Sequence, residues 1–524
     1  MRKEFFIVSL FVFLGIAALG QATEGFYWLL LIAVPLFLLG LHDIFQTRQT
    51  IKRNFPVIGN FRYLLEAIRP EIQQYFVESN EDGMPFSREK RSVVYQRSKK
   101  VTDTIAFGTQ NDLYRQGHQW INHSINARHP IREEPRVVIG ETRCSKPYSS
   151  SRLNISAMSF GALSANAIMA LNRGAKLGGF AHNTGEGGVS PHHLKYGGDL
   201  IWQIGTGYFG CRTDDGKFDE EKFAKTAQGE SIKMIEIKIS QGAKPGHGGV
   251  LPGSKVTREI ADIRGVIPGR TVISPPAHSA FKTPKQLLSF IIKLRKLSGG
   301  KPVGIKLCIG RKKEFFAFCK AIVETNEYPD FISIDGAEGG TGAAPLEFAN
   351  SIGTPLDDGL SFANNAIRGI GFRDQITIIA SGKVITGFNI AAKIALGADI
   401  CQSARGMMFS LGCIQALRCN HNNCPAGIAT QDKALEKGLV VEDKFRRVSN
   451  FHGQTIKSFL EVIAAAGLQH PKELEPYHLY ERISPSESKH FGEIYPFVRD
   501  GAFLENEIPE SYQMAWELAT SEVF

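Results

Sequence analysis

KPVGIKLCIGRKKEFFAFCKAIVETNEYPDFISIDGAEGG, residues 301–340, contains one full unit of the chain's architecture. KPVGIKLCI is a short apolar run closed by glycine, of strand length. KEFFAFCKAIVETN has apolar residues at helical spacing. FISIDGAE is a second apolar run that opens into a glycine cluster. Strand, helix and strand in that order make a parallel βαβ unit. The same alternation extends both ways from about residue 152. LNISAMS, GFAHN, LIWQIG and MIEIKIS read as strands one to four, the quoted runs as five and six, and ITIIASG and ADICQSARG as seven and eight. Segments such as SANAIMALNRGAKLG and TPKQLLSFIIKLRKL supply the helices. Eight such units close an α/β fold, the (β/α)8 TIM barrel. The alternative is an open doubly wound sheet.

Barrels carry their sites at the C-terminal ends of the strands. Ser159, Asn183, Gln241, Lys306, Gly339, Gly340, Gly382 and Gly406 all fall there. DGAEGGTG, SGKVITG and SARG place glycines after strands six to eight, where backbone N–H groups can approach a phosphate. Lys306, between Ile305 and Leu307 late in a buried strand, needs a partner. GTGYFG at 205–210 fits a dinucleotide fingerprint only literally. CRTDDGKFDEEKF follows it with another turn instead of a helix, so no dinucleotide site is assigned.

Cys413, Cys419 and Cys424 have the spacing C-x5-C-x4-C, with Pro425 immediately after. Zinc takes four ligands, usually in closely spaced pairs, which this segment lacks. A compact run of thiolates ending in Cys-Pro suits an iron–sulfur cluster. Three ligands with no evident fourth favour 3Fe-4S. The alternative is three buried, unrelated thiols. Cys144, Cys211, Cys308, Cys319 and Cys401 read as small apolar residues.

The residues around those cysteines are more specific than their spacing. ARGMMFSLGCIQALRCNHNNCPAGIATQD, 404–432, resembles the iron–sulfur segment of the glutamate synthase large subunit. SAMSFGALS (156–164), NTGEGG (183–188), QGAKPGHGGVLPGSKV (241–256) and DGAEGGTGAAP (335–345) match the same family in the same order. The resemblance runs from about Asn154 to about Gly467 and implies the family's FMN-binding synthase domain. It implies FMN over the strand ends, with Lys306 near the flavin edge that gains negative charge on reduction. It places Gln241 and Lys244 towards flavin and an anionic substrate, and Arg264 on a substrate carboxylate, which a guanidinium binds through both oxygens. Glu186 lies near both and is a candidate for handling protons. His192, His193 and His247 are further candidates, although lone histidines are more often structural.

The implied reaction is reduction of a 2-imino acid, such as 2-iminoglutarate from 2-oxoglutarate and ammonia, to L-glutamate. Electrons would reach FMN through the cluster, from ferredoxin or an NAD(P)H-oxidising subunit. The family's glutaminase domain finds no counterpart here, so glutamine hydrolysis is not expected of this chain, and a separate amidotransferase subunit is a possible partner. Two other readings stay open: an N-methylglutamate synthase-like transferase subunit, and a membrane redox relay that makes no amino acid.

The N-terminus has two apolar stretches, Phe5 to Gly20 and Phe26 to Leu41. Each is about 24 Å long as helix, slightly short for a bilayer core. Arg2 and Lys3 precede the first; Arg48, Lys52 and Arg53 follow the second. Basic flanks stay cytoplasmic, so a membrane hairpin is expected, with the catalytic domain on the cytoplasmic side of the cell membrane. A cleaved signal peptide followed by a lone anchor is the competing reading. The expected organisation is an anchor at 1–43, a lead-in at 44–147 packing on the barrel, the synthase domain at 148–467 with its cluster loop at 413–424, and an extension at 468–524. Net charge is +9, but basic runs are short and no basic stripe with interleaved aromatics exists, which speaks against nucleic acid.

Overall fold

A computed structural model describes every residue except 102 and 103. The chain divides into two compact units, 1–88 and 89–524. This boundary falls inside the expected lead-in. In the first unit, Arg2–Ala22 and Leu30–Phe45 are helices joined through Thr23 and the 3₁₀ turn Glu24–Leu29. Arg2–Ala22 outruns the first apolar stretch at both ends, whereas Leu30–Phe45 begins inside the second and runs past it. Twenty-one residues make a helix of about 32 Å, close to the thickness of a bilayer core. Phe37 stacks on Phe5 and meets Phe13 edge-on. Gly20 and Gly40 admit Tyr27 and Phe5, whose rings lie where a β-carbon would be. Arg2 donates to the Arg53 carbonyl and the Asn54 side chain, both at 2.8 Å, so the two basic flanks meet at one end of the hairpin.

The second unit is built on a closed parallel barrel. Its strands are β1 (Leu153–Ile155), β2 (His182–Asn183), β3 (Leu200–Ile204), β4 (Ile232–Lys238), β5 (Val303–Leu307), β6 (Phe331–Asp335), β7 (Thr377–Ser381) and β8 (Ile400–Ser403). Each strand expected from the sequence is present, and β8 closes on β1 in parallel. The helix after β1, Ala165–Gly178, starts where the Ser164 hydroxyl accepts from Ala167 N and ends where Gly179 turns left-handed. The long helix Val441–Ala465, further along the chain beyond β8, runs beside it. A β-carbon on Gly174 would lie 2.7 Å from Val448, so glycine is what lets the two helices approach.

The barrel floor is apolar. Ala181, Ile201, Met234, Phe331, Ile379 and Ile400 pack with Ile139 and Tyr148 of the hairpin Val137–Ile139/Tyr148–Ser150. The helix Arg88–Lys99 braces the opposite region. Arg97 donates to Thr455 and Ser458, and the Tyr95 hydroxyl donates to the Cys413 carbonyl at 2.6 Å. The C-terminal strands Leu479–Ser484 and Glu487–His490 extend a small sheet begun by Gln119–Ile121.

Candidate active site

Strand β4 sets the electrostatics of the barrel's open end. Strand periodicity puts Met234, Glu236 and Lys238 on one face, and Met234 belongs to the floor. Glu236 is wholly buried. It accepts from Asn183 Nδ2 at 2.8 Å, Gln203 Nε2 at 2.6 Å and the Ser333 hydroxyl at 2.7 Å. These donors stand on β2, β3 and β6, so the carboxylate bonds across the barrel interior. Asn183 also accepts from Gly185 N at 3.0 Å. Its side chain is therefore committed to the barrel and shapes the loop carrying Glu186.

One step further up, Lys238 Nζ lies 2.7 Å from Glu186 Oε1 and 2.6 Å from Gln241 Oε1. Lys244 is buried and donates to the Ala343 carbonyl at 2.9 Å. Arg264 ends the helix Arg258–Arg264. Its Nη2 reaches the Phe160 carbonyl at 3.0 Å and the Ser159 hydroxyl at 3.3 Å. Burial opposes ionisation of Glu186. The Lys238 ammonium, then Lys244 and Arg264, outweigh it and hold the carboxyl below the ordinary carboxylate range. Burial, reinforced by Lys238, brings Lys244 down to about 8, with Glu186 acting the other way. Three cations thus share one carboxylate. Arg264 Nε is buried with no partner among the described residues, a donor that an anion in the mouth would satisfy.

Across the mouth, Lys306 Nζ lies 3.6 Å from Asp335 and 3.5 Å from the Ser156 hydroxyl. Asp335 also accepts from Gly242 N at 2.8 Å, anchoring the loop after β4. A β-carbon on Gly340 would sit 3.0 Å from Arg405 Nε, and Arg405 donates to the Glu338 carbonyl at 2.6 Å. Gly339 closes the turn onto the Gly336 carbonyl at 2.8 Å. Gly382 follows β7 beside Lys383, whose pKa is lowered by burial and then by Arg405. Glycine loops and two mutually repelling cations make a donor set suited to phosphate. Gly406 also has a packing role: a β-carbon there would meet the Ser403 hydroxyl, Ile385 and Phe451.

Gln402 shares the face of Ile400 on β8. Both ends of its amide are buried and unpartnered among the described residues. A bound group offering both donor and acceptor would satisfy it.

Cys413, Cys419 and Cys424 lie on the loop after β8 and its short helix Arg405–Leu411. Burial, together with the other two thiols, raises Cys413 to about 12, and burial and Cys424 raise Cys419. No group of three or more His, Cys, Asp or Glu able to hold a metal ion is formed among the described residues. Lys255 ties this loop to the barrel: its buried ammonium donates to the carbonyls of Cys419 at 2.7 Å, Ala429 at 2.8 Å and Ala162 at 3.1 Å.

Sequence reasoning passed over Glu236, Lys238, Lys255, Lys383, Arg405 and Gln402. The first two had a signal: two charges at i and i+2 in the run MIEIKIS share a face. The histidines are structural in their contacts. His192 pairs with Glu259, His193 with Ser190, and His247 with the Gly248 carbonyl.

Residues 96–469 match the conserved region in glutamate synthase. YerD, a glutamate synthase large subunit-like protein of Bacillus subtilis (strain 168), is 39% identical over 495 residues, covering 86% of this chain and 94% of that protein. The chain belongs to the glutamate synthase family. It is a glutamate synthase-like oxidoreductase. The archaeal glutamate synthase (NADPH) of Methanocaldococcus jannaschii is 36% identical over 315 residues, covering 60% of this chain and 58% of that relative. Among solved structures, mandelate oxidase with 3,3-difluoro-2-hydroxy-3-phenylpropionic acid aligns at TM-score 0.42 and 13% identity, covering 82% of this chain and 97% of that one.

Proposed function

We propose that this family member reduces 2-iminoglutarate, formed from 2-oxoglutarate and ammonia, to L-glutamate in the mouth of the barrel. The observation that carries the reading is the Lys238–Glu186 ion pair at 2.7 Å, with the buried cations Lys244 and Arg264 also acting on that carboxylate. The surplus of two positive charges matches a dicarboxylate. Lys244 and Arg264 bind the carboxylates, and the unpartnered Nε of Arg264 supplies a ready donor. Glu186, kept ionised by Lys238, suits a protonated imine nitrogen and handles its proton. Gln241 stays oriented by Lys238.

The mouth fits FMN. Arg405, Lys383 and the glycine loops after β6 and β7 would hold the phosphate, Gln402 would meet a polar edge, and Lys306 would face the ring where charge grows. Bound there, FMN would supply the redox chemistry that couples one-electron donors to two-electron reduction of a substrate held by Lys244 and Arg264. Cys413, Cys419 and Cys424 would supply the thiolates for a three-iron cluster, with Lys255 and Tyr95 holding their loop against the barrel. The electron donor is ferredoxin or an NAD(P)H-oxidising subunit. The hairpin spans the cell membrane with both basic flanks on the cytoplasmic side.

The reaction is tested by anaerobic reoxidation of the reduced flavoprotein. With 2-oxoglutarate and ammonium, or with an amidotransferase partner, the flavin spectrum is expected to return to its oxidised form and glutamate to appear. No reoxidation under any of these conditions would end the glutamate-forming reading and leave the electron relay in its place.

Two further outcomes are expected. Cys419→Ser loses iron and acid-labile sulfide while keeping the barrel's circular dichroism; full iron retention would refute the ligand assignment. The full chain sediments with membranes and resists alkaline carbonate. An alkaline phosphatase fused to its C-terminus is inactive, and activity outside the cytoplasm would reverse the topology.

A further inference from the structure

The first unit carries an apolar face with no cover among the described residues. Ile58, Phe61, Leu65, Ile68, Ile72 and Phe76 recur every three or four residues along the helix Gly59–Ile72 and its continuation Gln73–Val77. All are exposed, Phe61 by 61% and Phe76 by 84%. Soluble surfaces seldom leave a contiguous apolar stripe of this kind open. Arg62, Glu66 and Arg69 line one edge of a groove along it, and Arg62 pairs with Glu66 at 3.1 Å. The basic residues Arg48, Lys52 and Arg53 lie just upstream, and only Glu66 and Glu71 offset the charge between residues 48 and 77.

The helix is pinned to the end of the apolar hairpin. Asp43, near the end of the second hairpin helix, is buried and accepts from Val57 N at 3.0 Å. Arg2, at the start of the first, donates to the Arg53 carbonyl. A β-carbon on Gly59 would lie 2.8 Å from Lys52 Cα, so the helix begins against this basic link. Its stripe therefore starts level with the hairpin's charged end.

We infer that Gly59–Val77 is an interfacial helix that lies on an anionic lipid surface with this stripe buried in the headgroup region. The inference rests on the reading of the hairpin as membrane-spanning. The chemistry is that of in-plane amphipathic helices: apolar side chains sink about 5–10 Å to the acyl boundary while arginines meet lipid phosphates. Lipid is favoured over a second copy as the occupant because the face continues from the hairpin end and residues 48–77 carry five basic side chains against two acidic ones.

The test uses the full chain in phosphatidylcholine nanodiscs, with and without phosphatidylglycerol. Phe61→Trp and Phe76→Trp place reporters on the stripe, and Ala67→Trp places one on the opposite face. Each spectrum is read against wild type, whose four tryptophans give a constant background. The stripe reporters are expected to shift to the blue and to lose emission with lipids brominated near the headgroup. Phosphatidylglycerol should strengthen both effects, and the Ala67→Trp reporter should show neither.

Equal behaviour of the two faces, or no quenching at Phe61→Trp and Phe76→Trp in a chain that still resists carbonate, overturns the inference and spares the hairpin. A blue shift without bromine quenching that disappears in discs holding one copy assigns the face to a second chain and also overturns it. Extraction of the full chain by carbonate removes the hairpin reading and this inference together.

Discussion

Glu236→Ala is expected to destabilise the barrel by roughly 3–9 kcal/mol, because three buried donors lose their acceptor at about 1–3 kcal/mol each. Asn183, Gln203 and Ser333 all donate to this carboxylate, from strands on either side of β4. None has solvent to turn to, since all three are buried. A loss of that size is a large part of the roughly 5–15 kcal/mol that holds a typical domain together. The variant should therefore accumulate poorly or unfold at much lower urea. Glu236→Gln keeps one acceptor oxygen and should recover part of the loss. The measurement is the urea midpoint of the near-ultraviolet signal for wild type and both variants. A midpoint for Glu236→Ala equal to wild type would mean that water replaces the carboxylate at no cost, and the interior bonding described for the barrel would carry no stability.

Arg264→Ala is expected to weaken the dependence on 2-oxoglutarate by about tenfold to a hundredfold, since a charge-assisted contact is worth roughly 1.5–3 kcal/mol and about 1.4 kcal/mol is tenfold. Reoxidation by ferricyanide, which bypasses the substrate pocket, should be unchanged. Arg264 also holds the Phe160 carbonyl and Ser159, so the loop after β1 loosens in the same variant. Lys244→Met separates the two effects, because Lys244 contacts Ala343 and leaves that loop intact. A weakened 2-oxoglutarate response in both variants supports the dicarboxylate pocket. A response weakened only in Arg264→Ala assigns the effect to the loop. The ammonium of Lys244 adds a pH signature. Its pKa is drawn down to about 8, so charge is lost and apparent affinity for the dianion falls as pH rises through that value. Lys244→Arg, which stays charged, should flatten that limb.

The order of the eight strands was legible because each is an apolar run of strand length followed by a helix of helical period, and both signals are local. The placement of the functional residues at strand ends followed from the parallel topology alone. The glutamate synthase resemblance also came from contiguous motifs, and residues 96–469 match that family.

Local pattern could not say which face of a strand turns inward. MIEIKIS shows Glu236 and Lys238 on one face, but only barrel closure sets one of them among Asn183, Gln203 and Ser333 and the other between Glu186 and Gln241. Gly406 reads as a phosphate glycine from its loop, yet its contacts with Ser403, Ile385 and Phe451 come from three separate segments. The cysteine spacing is written in one short segment, whereas the lysine that holds it lies 164 residues earlier. By itself the sequence determined the strand and helix periods, the eight-unit architecture and the family. Tertiary structure decided the partners of the buried charges: a carboxylate or ammonium is stable in a barrel only where groups distant in the chain converge on it, and that convergence is a property of the closed fold.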